Sequence, residues 1–271
     1  MAPIFQLSQI NIYPVKSFGG IALQSALAGE RGLQYDRRWM LVDEFNRFIT
    51  QRENNLMAQI GVKMDEQGLY VYHKTKPLTA FRLPFAIEQG KRCTVTIFQD
   101  TCDAIALEDE INDWISEVLH QDCRFIYMPD TTKRLVNTNY AFNKETVSFA
   151  DGYPFLILGE ASLQSLNERL DLPVPMNRFR PNFVFSGGDA FAEDHWKEVQ
   201  IGDALFRSAK KSARCVITTI DQDTGAKSAE PLHTLSQFRK LNNNVFFGQN
   251  LVLQKEGMVS VNDVVTVTTE N

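Results

Sequence analysis

Apolar residues in this chain come in short alternating runs, and a Gly, Pro or acidic turn cluster cuts nearly every run before three helical turns could form. That punctuation restricts the fold strongly, because short strands must pair with one another to satisfy their backbone groups. Ile10, Ile12 and Val15 are spaced for an extended segment that ends at Lys16-Ser17, before Gly19-Gly20. Trp39-Met40-Leu41-Val42 reads as a short buried strand. Residues 61–64 and 69–73 flank Asp65-Glu66-Gln67-Gly68 as a hairpin, and residues 94–98 alternate as a strand. One stretch breaks the pattern: Ile111, Trp114, Ile115 and Val118 fall at i, i+3, i+4 and i+7, which predicts an amphipathic helix with an acidic first turn. A domain boundary is expected just after it, near Cys123, dividing the chain into residues 1–124 and 125–271.

Beyond that boundary, residues 155–158, 182–185, 205–206, 216–220, 245–253 and 264–268 read as strands. Helices are expected at Leu163, Leu166 and Leu170, stopped by Pro173 and Pro175, and at Leu235, Phe238 and Leu241. The fold class is therefore mainly β with α decorations (α+β), a barrel or sandwich and not a doubly wound sheet. Gly19-Gly20 and Gly187-Gly188 lack the further glycines and lysine of a dinucleotide fingerprint or P-loop.

With 271 residues, 44% of them apolar, such a chain can bury a core without disulfides. Its 28 basic and 33 acidic residues leave a net charge of -5, which argues against a general nucleic-acid or anionic-membrane binder but permits a local basic pocket. No apolar run approaches the roughly 18 residues of a membrane helix, and the first basic residue is Lys16, so neither a spanning segment nor a signal peptide is expected. Cys93, Cys102, Cys123 and Cys215 are widely spaced with no C-x-x-C, which fits reduced thiols in a cytoplasmic protein. That spacing offers no iron–sulfur set, and the scattered His73, His120, His195 and His233 offer no zinc site.

Four places could carry chemistry. Cys215 follows Lys210, Lys211 and Arg214, and cations beside a cysteine favour the thiolate, a nucleophile and a ligand for soft metals. The plainer reading of a cysteine among β-branched neighbours is a small buried hydrophobe. Arg178 and Arg180 occupy alternate positions of an expected extended segment before Pro181 and Asn182, so their guanidinium forks would share a side. Lys16-Ser17 tips the first strand, and Asp36-Arg37-Arg38 leads into an apolar one. Each of these three is ordinarily a solvated turn or surface ion pair. Taken together, Lys16, Arg37, Arg180 and Arg214 on an acidic chain are the composition of a pocket for a small anion. A cysteine hydrolase would need a histidine beside Cys215, and Asp221-Gln222-Asp223-Thr224-Gly225 reads as a turn because it lacks the later glutamate of a calcium loop.

Several segments in one order resemble the MOSC family, named for the carboxyl-terminal domain of molybdenum cofactor sulfurase. They are Tyr13-Pro14-Val15-Lys16-Ser17, Asp36-Arg37-Arg38-Trp39, Thr50-Gln51-Arg52, Tyr153-Pro154-Phe155, Asn177-Arg178-Phe179-Arg180-Pro181-Asn182, Arg214-Cys215-Val216-Ile217-Thr218-Thr219 and Phe247-Gly248-Gln249-Asn250. The likeness covers nearly the whole chain and is nearest in kind to the amidoxime-reducing and hydroxylaminopurine-resistance branches. It implies a MOSC β-barrel preceded by a MOSC N-terminal β-rich domain whose first strands complete the barrel. It also implies a molybdenum cofactor (molybdopterin) ligated by Cys215, its pterin and phosphate held by Lys16, Ser17, Arg37, Arg180, Asn182 and Arg214. The implied activity is reduction of N-hydroxylated compounds such as hydroxylamines, amidoximes and N-hydroxylated bases. No cysteine follows Cys215, so a ferredoxin-like domain is not expected here, and electrons are expected from a separate flavoprotein, ferredoxin or cytochrome. Ala213 and Tyr153 stand where the mitochondrial branch has serines. Pyridoxal phosphate belongs to a different domain of the sulfurases and is not expected. The alternatives are a sulfurtransferase using a Cys215 persulfide and a cofactor carrier with no turnover.

Overall fold

The computed structural model describes residues 4–78, 80–137 and 139–270. Seven strands close into a barrel. Phe155–Gly159 runs parallel to Phe183–Ser186, which pairs antiparallel with Phe5–Ile12. The ring continues through Val264–Glu270, Trp196–Ile201, Ala204–Arg214 and Asn244–Lys255, and the last of these returns to Phe155–Gly159. Closure leaves this ring without a free edge. Gly248 stands where the ring shuts. Its φ is +83°, and a β-carbon there would sit 3.0 Å from the Ile157 carbonyl oxygen, so a side chain would push the closing strands apart. Ile10, Ile157, Phe185, Val199, Ile201 and Leu251 fill the interior, joined by Leu7, which a register shift between Leu7 and Gln9 brings to the same side as Ile10.

The rest of the chain packs on the barrel as a second body. A five-stranded sheet is ordered Lys91–Ile97, Asp100–Ala106, Arg124–Tyr127, Trp39–Val42, Phe48–Ile49. A three-stranded sheet runs Ile60–Asp65, Gly68–His73, Phe81–Leu83. The helix Asp109–Leu119 presses Ile111, Ile115 and Val118 into the core between them, as its spacing foretold, and ends on His120 in a left-handed conformation. The bodies interleave: Phe5–Ile12 belongs to the barrel, while Ser25–Gly29 pairs with Gly257–Ser260 from the far end of the chain. Arg124–Tyr127 spans the 124/125 division read from the sequence and pairs with Trp39–Val42. Among the described residues, no helix is long and apolar enough to cross a membrane.

Four local expectations need correction. The helix Glu160–Asn167 ends before Leu170 and well short of Pro173. Residues 216–219 form a 3-10 turn, not a strand, because the Cys215 carbonyl accepts both the amide and the hydroxyl of Thr218. Residues 176–178 are likewise a 3-10 turn, so Arg178 and Arg180 do not alternate along an extended segment. The third helix is Leu232–Phe238; Leu241 falls in a short strand, where the chain reverses through Asn242 at φ +53°.

Phe206 meets Phe155 and Phe183 edge-on, with ring centroids 5.1 and 5.3 Å apart. Phe206→Ala is expected to cost about 3–5 kcal/mol, read as a lower urea midpoint. A loss under about 1 kcal/mol would show that this aromatic cluster is not central to the barrel.

Candidate functional site

A cavity of about 320 Å³ opens where the barrel meets the second body, and Lys16, Ser17, Arg37, Arg180, Asn182, Arg214 and Cys215 all line it. Long-range topology assembles them. Arg214 ends the strand Ala204–Arg214, and Cys215 begins the turn that leaves it. Lys16 and Ser17 follow a bridge between Val15 and Trp39. Arg37 is set by Asp36, which is buried and accepts the Tyr13 amide at 2.7 Å as well as the Arg37 guanidinium.

Three of these residues hold unusual backbones: φ is +69° at Ser17, +49° at Arg37 and +55° at Arg180. Each such conformation costs roughly 1–3 kcal/mol for a residue with a β-carbon, and strain of this kind concentrates where side chains must be aimed. Arg37 and Arg180 both stand over the Tyr13 ring, 4.3 and 4.2 Å from its centroid. Arg180 also donates to the Phe18 carbonyl at 2.7 Å. The Asn182 amide is engaged at both ends, accepting the Leu156 amide at 3.2 Å and donating to the Asn11 carbonyl at 3.1 Å, so it ties two barrel strands within the wall.

The electrostatics are lopsided. Lys16, Arg37, Arg180, Lys210 and Arg214 line the cavity, with Asp151 as the only carboxylate among the described lining residues. Burial pushes Arg180 and Arg214 down to about 10, so both stay charged at neutral pH while poorly solvated. Burial likewise lowers Lys16 to about 8, against the pull of Asp151, whose Oδ1 lies 2.5 Å from its Nζ. Crowding by protein opposes the charge on Asp151, whose side chain is still 56% exposed, yet Lys16 and Arg52 outweigh it and hold the carboxyl well below the usual carboxylate range. Arg214 Nε, Arg52 Nη1 and the Tyr153 hydroxyl are buried donors with no partner among the described residues. Desolvated cations and unfilled donors together call for an anion.

Cys215 is half-buried at this wall, with Arg52 Nη2 3.6 Å from its sulfur. The other thiols have different surroundings: burial pushes Cys102 and Cys123 up to about 11 inside apolar packing. Asp151 and Arg52 were not among the residues singled out as site residues from the sequence. Arg52 stands within the Thr50-Gln51-Arg52 segment with no signal of its own, and Asp151 lies in a loop whose local pattern signals nothing but a turn. Arg178 is set by Asp221, 3.0 Å from its Nη2, and does not line the cavity. Among the described residues no three His, Cys, Asp or Glu side chains gather as a metal site, so a metal at Cys215 would have fewer than three such ligands.

The Lys16 value makes a signed prediction. The unfolded chain keeps this proton up to about 10.5, while the folded one releases it above about 8, so this group adds stability as pH rises between those values. Nitrogen NMR of Lys16 Nζ is expected to titrate near 8, and lower still in Asp151→Asn. An ordinary lysine titration in both proteins would contradict the burial argument.

Comparison with known proteins matches residues 4–122 to the MOSC N-terminal beta barrel domain and residues 144–266 to the MOSC domain. Mitochondrial amidoxime-reducing component 1 of Homo sapiens is 33% identical over 96% of this chain and 82% of its own length. The Mus musculus protein of that name is 31% identical over 96% and 81%. Molybdenum cofactor sulfurase of Oryza sativa is 31% identical over 89% of this chain but only 32% of its own length. Among solved structures, the YUAD protein from Bacillus subtilis is a loose likeness, with a TM-score of 0.42 and 7% identity over 97% of this chain and 95% of that one. With a relative above 30% identity along almost its whole length, this chain belongs to the MOSC family.

Proposed function

We propose that this chain binds a molybdenum cofactor through Cys215 and reduces N-hydroxylated compounds with electrons from a separate donor protein. The observation that carries the proposal is the convergence of one accessible thiol and five cations on one cavity that holds a single carboxylate. With fewer than three ligating side chains gathered there, a metal at Cys215 is better held if an anionic organic group brings ligands of its own. The wall suits such a group. Arg37, Arg180 and Arg214 offer guanidinium forks to a phosphate, the Ser17 hydroxyl lines the same wall, and Arg214 Nε is a donor without a partner.

When bound, the cofactor supplies two-electron redox chemistry for removing an N–OH oxygen as water, a reaction that consumes two protons. The protein's part is to hold, orient and protonate. Asp151, ionised between Lys16 and Arg52, is an acceptor for the N–H of a hydroxylamine or amidoxime. Lys16 Nζ holds a proton at neutral pH that its value of about 8 makes labile, bonded to Asp151 Oδ1. The molybdenum cofactor sulfurase relative favours a second reading, in which Cys215 carries a persulfide and passes sulfur on.

Protein from a cofactor-competent host is expected to carry molybdenum and pterin and to reduce a hydroxylaminopurine with a reduced dye. Cys215→Ala should lose both properties. Full N-reduction by Cys215→Ala would refute the proposal, and a persulfide on Cys215 without molybdenum, read by mass spectrometry, would favour sulfur transfer. Tight cofactor binding with no reduction by any dye would leave a carrier. Arg214→Lys keeps the charge but loses the fork, and should weaken cofactor retention about tenfold; unchanged retention would remove Arg214 from the cradle.

A further inference from the structure

A second cavity, also of about 320 Å³, lies at the junction of the two bodies, and Arg180 is the one described residue that lines both. Its wall is built differently from that of the first. Glycines let aromatic rings lie directly on backbone: a β-carbon on Gly61 would come within 2.4 Å of the Tyr72 ring, and one on Gly20 within 2.6 Å of the Tyr13 ring. Gly19 lines the same hollow. The charges are Lys74 and Arg180, with the carboxylate of Asp223 80% exposed and 3.5 Å from Lys74 Nζ. Lys74 is anchored to the Gln222 carbonyl, and burial lowers its pKa. The side chains of Asn11, Asn177 and Tyr72 also line the cavity, and none hydrogen-bonds to a described residue.

This donor set is more than a bare anion needs. Two carboxamides, each both donor and acceptor, suit the edge of a heterocyclic base. A carboxylate repels an anion but accepts hydrogen bonds from a ribose diol, the use made of acidic residues in dinucleotide sites. An ammonium and a guanidinium suit a phosphate. The volume falls within the range of small-ligand pockets, which begins at about 300 Å³. We propose that the second cavity binds a nucleoside monophosphate: Lys74 and Arg180 take the phosphate, Asp223 the ribose, and Asn11 and Asn177 the base. The inference needs no chemistry at Cys215, but Arg180 is shared with the proposed cofactor cradle and one guanidinium cannot fully serve two phosphates, so occupancy of one cavity would be felt in the other.

Calorimetry of the full chain with AMP, GMP, CMP and UMP tests it, with inorganic phosphate and adenosine as comparators. At least one nucleotide is expected to saturate below about 1 mM and to bind more tightly than either comparator. Lys74→Ala and Asn177→Ala should each weaken it about tenfold, the loss of one good polar contact, while Arg214→Ala, in the first cavity, should leave it unchanged. Asn177 is exposed on its turn, so Asn177→Asp, which replaces the amide donor facing the base with a second acceptor, provides a further variant should Lys74→Ala fold poorly. The proposal is overturned if no nucleotide saturates below about 1 mM, if phosphate alone binds as tightly, or if binding ignores both asparagine variants. Loss of binding in Arg214→Ala alone would place the nucleotide in the Cys215 cavity and would also overturn it.

Discussion

Closure of the barrel is the constraint on which the cavity depends. Phe155–Ile157 pairs with Gln249–Leu251 on one side, while Ile157–Gly159 pairs with Phe183–Phe185 on the other. That double pairing draws the loops before Phe155 and Phe183 toward the end of the strand that carries Arg214. Asn182 reinforces it, because its amide reaches the backbone of both neighbouring strands. Without closure, Asp151, Arg180 and Cys215 would belong to unrelated surface loops.

Cation crowding follows from that architecture and opposes it. Burying Lys16, Arg180 and Arg214 near one another is unfavourable, and Asp36 and Asp151 offset only part of the repulsion. The second body supplies much of the compensation. The rings of Phe48 and Phe98 cover Lys16 Nζ at 5.6 Å, whereas Arg52, paired with Asp151 at 2.8 Å, adds a further cation that shares that carboxylate. Gln51 and Gln222 exchange reciprocal amide hydrogen bonds of 3.0 and 2.9 Å across the junction, and Gln51 also donates to the Ser17 carbonyl. A site with this much uncompensated positive charge is stabilised by an anionic occupant, so ligand binding and folding stability should be linked in this protein.

The sequence made the regular elements legible because their signals are local. The 60–73 hairpin and the 109–119 helix need only alternation, a turn and a 3.6-residue period. All seven residues selected for the site line one cavity, since cations on an acidic chain and a recurrent order of motifs survive without coordinates. The errors have a common cause. At Val216 and Asn177, β-branched or alternating patterns suggest extension, but backbone carbonyls one turn away accept amide and threonine hydroxyl donors and close 3-10 turns instead. Asp151 and Arg52 are hidden for another reason: Arg52 matters because it meets Asp151, 99 residues on, and the Cys215 sulfur, 163 residues on.

X-ray absorption at the molybdenum edge addresses the central claim most directly, in protein loaded by a competent host and in its Cys215→Ser counterpart. Ligation by Cys215 predicts that the variant loses one sulfur neighbour of the metal while any retained molybdenum keeps its remaining sulfur shell. An identical sulfur shell in the two proteins would contradict the account.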